Sequence, residues 1–284
     1  MNHDYVKLVV RRLYDAQKLR IQSDLRLQRL IREEIVLKEE AEKTFGQARK
    51  LEEDTEKEYE RIVWREIRNE RIVKEWLIRV RGIGPRLAGL LVALIGDIGK
   101  FSNVSKLWAY AGLHVVNGRA AKRSKGERAN WSDELKTTAW KIGKSFVKAG
   151  GPYAELYRTY KQYLIVREVR NGNVIWGADD KGKYAPIHAP IEVMARAEEM
   201  KAPEKPEWTL GRIDNMATRR TVKIFLSHLW DVWRTMEGLP TDGPFVQERL
   251  GHESRLDPWD FVEPEKEKRP RKNAVGTEQE REVA

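Results

Sequence analysis

Through its first 81 residues the chain carries no proline and a single glycine, Gly46. Those two residue types punctuate a fold most strongly. A stretch this long without them is committed to long helices, provided its apolar residues recur at the helical period. They do: Val6, Val9, Val10 and Leu13, then Leu27, Leu30, Ile31 and Ile35, then Ala41, Phe45, Ala48, Tyr59, Ile62 and Val63. The pattern predicts two or three long amphipathic helices, with a break near Gly46 or in the acidic run "LEEDTEKEYE" (51–60). The charged faces mix both signs, as in an antiparallel helical hairpin or a dimerising coiled coil, so a homodimer through these helices is an expectation.

A third apolar series, Ile72, Val73, Trp76, Leu77 and Val80, leads into "RGIGPRLAGLLVALIGDIGKF" (81–101). A helix ending near Arg81, a Gly-Ile-Gly turn and a second helix opened by Pro85 follow from that order. Both glycines accept backbone conformations closed to other residues and leave nothing to block close approach. The turn therefore presents backbone N–H groups and a helix N-terminus, a donor set suited to a phosphate oxygen. Ile83 plugs back between the helices, and Ala88 and Gly89 let them cross closely. These features resemble the helix-hairpin-helix motif of DNA-handling proteins, which grips backbone rather than bases. The motif also implies a K+ or Na+ ion on the backbone carbonyls of Gly82 and Gly84.

Beyond the turn, "NVSKLWAYAGL" (103–113) reads as a short helix from Asn103 or Ser105 to Gly112, and "NGRAAKRSKGERAN" (117–130) as a loop or irregular hairpin. Two helices follow: 131–150, capped by Ser132, and 153–170. Residues 171–208 are turn-rich and partly extended, whereas 212–240 is a helix with the stripe Val222, Phe225, Leu226, Leu229, Trp230 and Trp233. The expected organisation is a long-helix extension over 1–68, a basic helix-hairpin-helix domain over 69–170, an irregular segment with a closing helix (212–237) over 171–262, and a disordered tail over 263–284. The fold class is mainly α.

Charge singles out the middle of the chain. The net charge is +10, but residues 81–170 hold 17 Lys/Arg against 6 Asp/Glu, with near-balanced flanks. A basic third between neutral neighbours reads as a face for an anionic partner. Its candidate contacts are Arg81 and Arg86 beside Gly82, Ile83 and Gly84, then Lys100, then Arg119, Lys122, Arg123, Lys125 and Arg128 in the loop. Lys141, Lys144 and Lys148 share a helix face by their spacing. Trp131, at the end of the loop, is placed either to pack or to stack on an exposed base.

The absence of cysteine excludes disulfides and thiolate chemistry. No nucleotide-binding P-loop occurs, and His3, His114, His188, His228 and His252 are scattered without metal-ligand spacing. No run approaches a membrane span, and the expected location is cytoplasmic, in association with the nucleoid.

Residues 80–113 closely resemble the C-terminal domain of transposases of the IS110/IS116/IS902 family, through the GIGP turn, "IGDI-x-x-F" at Ile95–Phe101 and "W-A-Y-A-G-L" at Trp108–Leu113. The resemblance extends into 131–164, and "MATRRTVKIFLSHLW" (216–230) looks like the closing helix of that group. It implies DNA recombination and transposition as the setting. It also implies an N-terminal RuvC-like sheet with four acidic metal ligands, where this chain reads as charged helix, and a nucleophilic serine in a Ser-Gly context. Here Asn117-Gly118 stands in that place, and Ser124 is a candidate only in a shifted register. The reading is a non-enzymatic, sequence-nonspecific DNA-binding protein for duplex, branched or single-stranded DNA. The alternatives are a strand-cleaving recombinase acting through Ser124 and a helical scaffold for an acidic protein.

Overall fold

In a computed structural model of the chain, residues 2–116, 119–122, 126, 129–196, 200–241 and 256–264 are described. From residue 265 onward the expected tail lies outside them. The first two elements, α1 (His3–Arg32) and α2 (Lys38–Ile67), have 30 residues each, about 45 Å of helix. They pack along one another as a hairpin within the chain. The break between them falls at 33–37, not at Gly46 or in 51–60, through both of which α2 runs uninterrupted. Glu34 makes the turn with a φ of 56°, and the N–H groups of Glu33, Glu34 and Ile35 return to the carbonyls of Arg29, Ile31 and Leu30. A glycine inside an exposed helix costs only about 1 kcal/mol, which thirty residues of helix absorb.

A short α3 (Arg71–Glu75) tightens after Trp76 into a 3-10 turn at Leu77–Arg79. The turn at 80–84 then leads into α4 (Pro85–Ile95), in which every residue from Ala88 to Ile95 is buried. A helix apolar on all sides belongs at the centre of a molecule, and α1, α2 and α6 surround this one. After a 3-10 turn at Ile98–Lys100 come α5 (Val104–Tyr110), the antiparallel pair β1 (Val115–Val116) and β2 (Arg119–Ala120), α6 (Asp133–Ala149) and α7 (Pro152–Arg170). A second antiparallel pair, β3 (Ile175–Ala178) and β4 (Tyr184–His188), precedes α8 (Ile191–Met194) and α9 (Leu210–Met236). Asn103, Ser132 and Thr209 cap α5, α6 and α9, each side chain accepting from an N–H three residues on.

One central core joins most of the helices, and a smaller cluster of Leu164, Ile165, Ile175 and Ile213 ties β3 to α7 and α9. Val6, Val9, Val10 and Leu13 of α1 and Val63 and Ile67 of α2 lie in the same cluster as α4, α6 and the apolar stripe of α9. The root of the hairpin is thus part of the central core. Farther out the seam turns polar: Arg20 and Gln17 donate to Glu56, Ser23 to Glu52 and Arg49 to Asp24. A strap at 256–264 returns to the centre, where the Trp76 indole donates to the Pro258 carbonyl at 3.2 Å and Phe261 packs on Tyr153 and His228. Among the described residues no helix is long and apolar enough to cross a membrane.

Candidate nucleic-acid interface

The two glycines of the turn do different work. Gly82 has a φ of +95°, closed to residues with a side chain. A Cβ there would meet Phe146, Ala149 and the Ser145 carbonyl at 3.2–3.3 Å. Its own carbonyl accepts the Ser145 hydroxyl at 2.6 Å. Gly82 therefore docks the turn on α6, and Ile83 is buried beside it as expected. Gly84 is exposed, has extended backbone and faces open space, with nothing within 4 Å of a Cβ built on it. It is the N-cap of α4, and Pro85 follows with no N–H of its own. Among the described residues no acceptor meets the N–H groups of Gly84, Arg86 and Leu87. The positive end of a helix with free donors thus opens to solvent at Gly84.

Cations flank this opening on one side. The stem of Arg81 lies over Gly151, where a Cβ would meet its Cδ at 3.0 Å, and Arg81 is exposed. Lys148 is exposed on the last turn of α6. Neither has a carboxylate partner among the described residues. Lys141, Lys144 and Lys148 share the outer face of α6 as expected, but their environments differ. The Lys141 ammonium sits 3.7 Å from the centre of the Tyr14 ring, and burial lowers its pKa. Lys144 is paired with Asp214 at 2.8 Å. Burial pushes the Asp214 carboxyl up, but bonds from Lys144, Tyr157 and Lys161 outweigh it and bring it down to about 2.

Arg86 departs from its expected place beside the phosphate. Its guanidinium turns into α2 and pairs with Glu56 at 2.6 Å and Glu60 at 2.9 Å. Glu56 is only 5% exposed. Burial raises its carboxyl, and the bonds from Arg20 and Arg86 more than offset this, so the pKa ends below the ordinary value. Arg86→Ala should therefore lower stability by about 2 kcal/mol, since Arg20 and Gln17 remain to hold part of the charge. Denaturant unfolding measures this. The salt dependence of any nucleic-acid binding should stay as it is, because Arg86 is already neutralised by acids.

Lys100 lies beyond the far end of α4 from the turn, about 16 Å away along an 11-residue helix. Lys122 is exposed, and the backbone of Arg119 is in β2. Arg123, Lys125, Arg128 and Ser124 lie outside the described residues. Trp131 packs: its ring meets His114 at 5.6 Å between centroids and carries the Lys136 ammonium at 4.4 Å. An aromatic side chain of α6 that does face solvent is Trp140, 56% exposed and one turn before Lys144. Its i, i+4, i+8 spacing with Lys144 and Lys148 was the available signal. Among the described residues no three His, Asp or Glu side chains gather to hold a metal ion.

Residues 74–158 match the model of the transposase IS116/IS110/IS902 family. No curated protein and no solved structure matches the chain. The matched span begins in α3 and ends in α7, so it encloses the turn, the buried α4 and the basic face of α6, and leaves α1, α2 and α9 outside. From α3 to α7, over less than a third of its length, this chain is similar to the transposase IS116/IS110/IS902 family.

Proposed function

We propose that the protein binds the phosphate backbone of DNA without sequence preference, with the α4 N-terminus as the grip. The observation that carries this reading is the exposed N-cap Gly84, with N–H donors behind it and the cations Arg81 and Lys148 beside the α6–α7 corner, none of which has a partner among the described residues. Backbone donors and flexible cations bind phosphate oxygens and carry no base information. The outer face of α6, with Lys141 and Lys148, and the exposed Trp140 extend the contact along the strand. Arg119 and Lys122 add charge near β2, and Arg123, Lys125 and Arg128, which lie outside the described residues, belong to the same proposal. Gly82 and Ile83 act by fixing the turn on α6. The similarity to the transposase family over 74–158 supports a role in transposition or recombination, and nucleoid association is part of the same proposal.

Two further parts of the proposal are separable. The hairpin of α1 and α2 exposes Leu19, Leu25, Phe45 and Leu51 along its distal length, and a second copy of the chain covers them in a homodimer. A K+ or Na+ ion has a thin ligand set at the turn. The Gly82 carbonyl already accepts from Ser145 and the Gly84 carbonyl from Ala88, so the grip is proposed to work without it.

The test is binding to matched duplex, single-stranded and four-way-junction DNA at about 50 and 200 mM salt, with K+, Na+ or tetramethylammonium as the cation. Affinity should fall steeply with salt, and the slope should drop by about two in the Arg81→Gln/Lys148→Gln variant. Binding that ignores salt, or none at all, contradicts the proposal and favours an acidic protein as partner. Sedimentation of the same preparation reads the dimer.

A further inference from the structure

Away from the turn, three cations crowd together between α5, α6 and α9. Lys136 enters from α6, and Arg219 and Lys223 from successive turns of α9. The Lys136 ammonium lies 4.4 Å from the centre of the Trp131 ring and donates to the Ala121 carbonyl at 3.1 Å. Arg219 donates through one terminal nitrogen to the carbonyls of Leu113 and His114, both at 2.7 Å, and its other donors meet no acceptor among the described residues. The Lys223 ammonium lies 3.9 Å from the centre of the Trp108 ring. None of the three has a carboxylate within ion-pair reach among the described residues. Asp133, the acid that acts on Lys136, bonds instead to the Trp131 indole.

The arrangement works against each cation. Burial depresses the pKa of all three, and Arg219 repels both lysines. Cation–π contact with two tryptophans offsets part of this, less than a partner anion supplies to a partly desolvated cluster. Room for the cluster is built in: Gly112 has a φ of +65°, and a Cβ there would strike the Lys136 stem at 2.7 Å and the Trp131 ring at 3.1 Å. Beside it, the buried Nδ1 of His114 has no hydrogen-bond partner among the described residues.

We infer that Lys136, Arg219 and Lys223 form a second phosphate site, which takes a phosphodiester of the same nucleic-acid strand that the α4 turn grips. This rests on the nucleic-acid reading above and adds a separate anchor to it. Two of its three cations lie on α9, outside the family-matched span. Lys136 stands twelve residues before Lys148 on α6, about 18 Å along the axis, or about five steps of duplex at 3.4 Å each. The two anchors thus hold a strand at two points and fix its direction across α6.

The test uses the full chain with Lys136→Met/Lys223→Met, which keeps the apolar stems on the tryptophans, and Lys136→Arg/Lys223→Arg, which keeps the charge. Arg219 stays, because it holds two carbonyls. Against a 20-base-pair duplex the Met pair should lose tenfold or more in affinity and about two in salt slope, with melting temperature unchanged or raised. The Arg pair should bind as the parent does. Unchanged affinity and slope in the Met pair overturn the site and leave the grip at Gly84 standing. If the parent binds no nucleic acid, the reading above is what fails, and thermal melting in inorganic phosphate against chloride at equal ionic strength decides. Phosphate stabilisation lost in the Met pair supports the anion site, and its absence in the parent overturns it.

Discussion

Valine at position 89 should lower folding stability by about 3 kcal/mol and the melting temperature by roughly 6–12 °C for a chain of this size. Gly89 is where α4 crosses the helical hairpin. A Cβ there would lie 2.6 Å from Val63 and 3.3 Å from Val10, with Ile67 at 3.7 Å, and all three neighbours are fully buried. Close-packed interiors give way by tenths of an ångström rather than by a methyl diameter. Gly89→Val must therefore push α4 off α1 and α2, and that shift exposes the centre of the core. The other helical glycine of the hairpin behaves oppositely. Gly46 lies in α2, where a Cβ would meet only the flexible end of Glu42. Gly46→Ala should raise stability by about 1 kcal/mol. Thermal unfolding of both variants checks the pair, and a Gly89→Val protein as stable as its parent contradicts the crossing.

Acid should open the molecule at its C-terminal strap. His228 is buried on α9, with Nδ1 2.8 Å from the Tyr153 hydroxyl and its ring against Phe261. Burial brings its pKa down to about 4, although the Leu256 backbone and Asp257 favour the charged form. In the unfolded chain the group titrates near 6.5, so as pH falls the unfolded state takes the proton first. The stabilisation is complete above pH 6.5 and is lost progressively between 6.5 and 4. At 1.36 kcal/mol per unit it amounts to about 3 kcal/mol. Other carboxylates titrate in the lower part of this window, so the reading is a difference. Melting temperature followed from pH 7 to pH 4 should fall less steeply in His228→Gln than in the parent. Parallel curves would show that the imidazole is already solvated in the folded protein.

What could be read from the sequence was what is local. The caps Asn103 and Ser132 and the stripe of α9 each depend on residues within a turn or two of one another, and all appear as expected. The plug at Ile83 was legible because only an apolar residue between two glycines closes such a turn. What could not be read depends on distant partners. Arg86 looks like a contact residue until α2 brings Glu56 and Glu60 to it from 26–30 positions earlier. Gly82 and Gly84 look equivalent in the sequence, and only the docking of α6 separates a structural glycine from an open one. The bend at Glu34 has no local signature, since a glutamate with positive φ is unusual. The Lys136–Arg219–Lys223 cluster joins two helices some eighty positions apart, beyond the reach of any spacing rule.

The most direct measurement is the affinity of Gly84→Asp for duplex DNA beside that of the parent, with thermal unfolding of both. The backbone at Gly84 is extended, with φ −97° and ψ 179°, and has space for a side chain. An N-cap aspartate accepts the free N–H groups of its own helix and stabilises it by a few tenths of a kcal/mol relative to glycine. It also places a negative charge where the phosphate is proposed to lie. The account predicts a protein at least as stable as the parent that binds DNA tenfold or more weakly. Equal affinity in a folded Gly84→Asp protein would mean that phosphate never approaches the α4 N-terminus, and the proposed grip would be wrong.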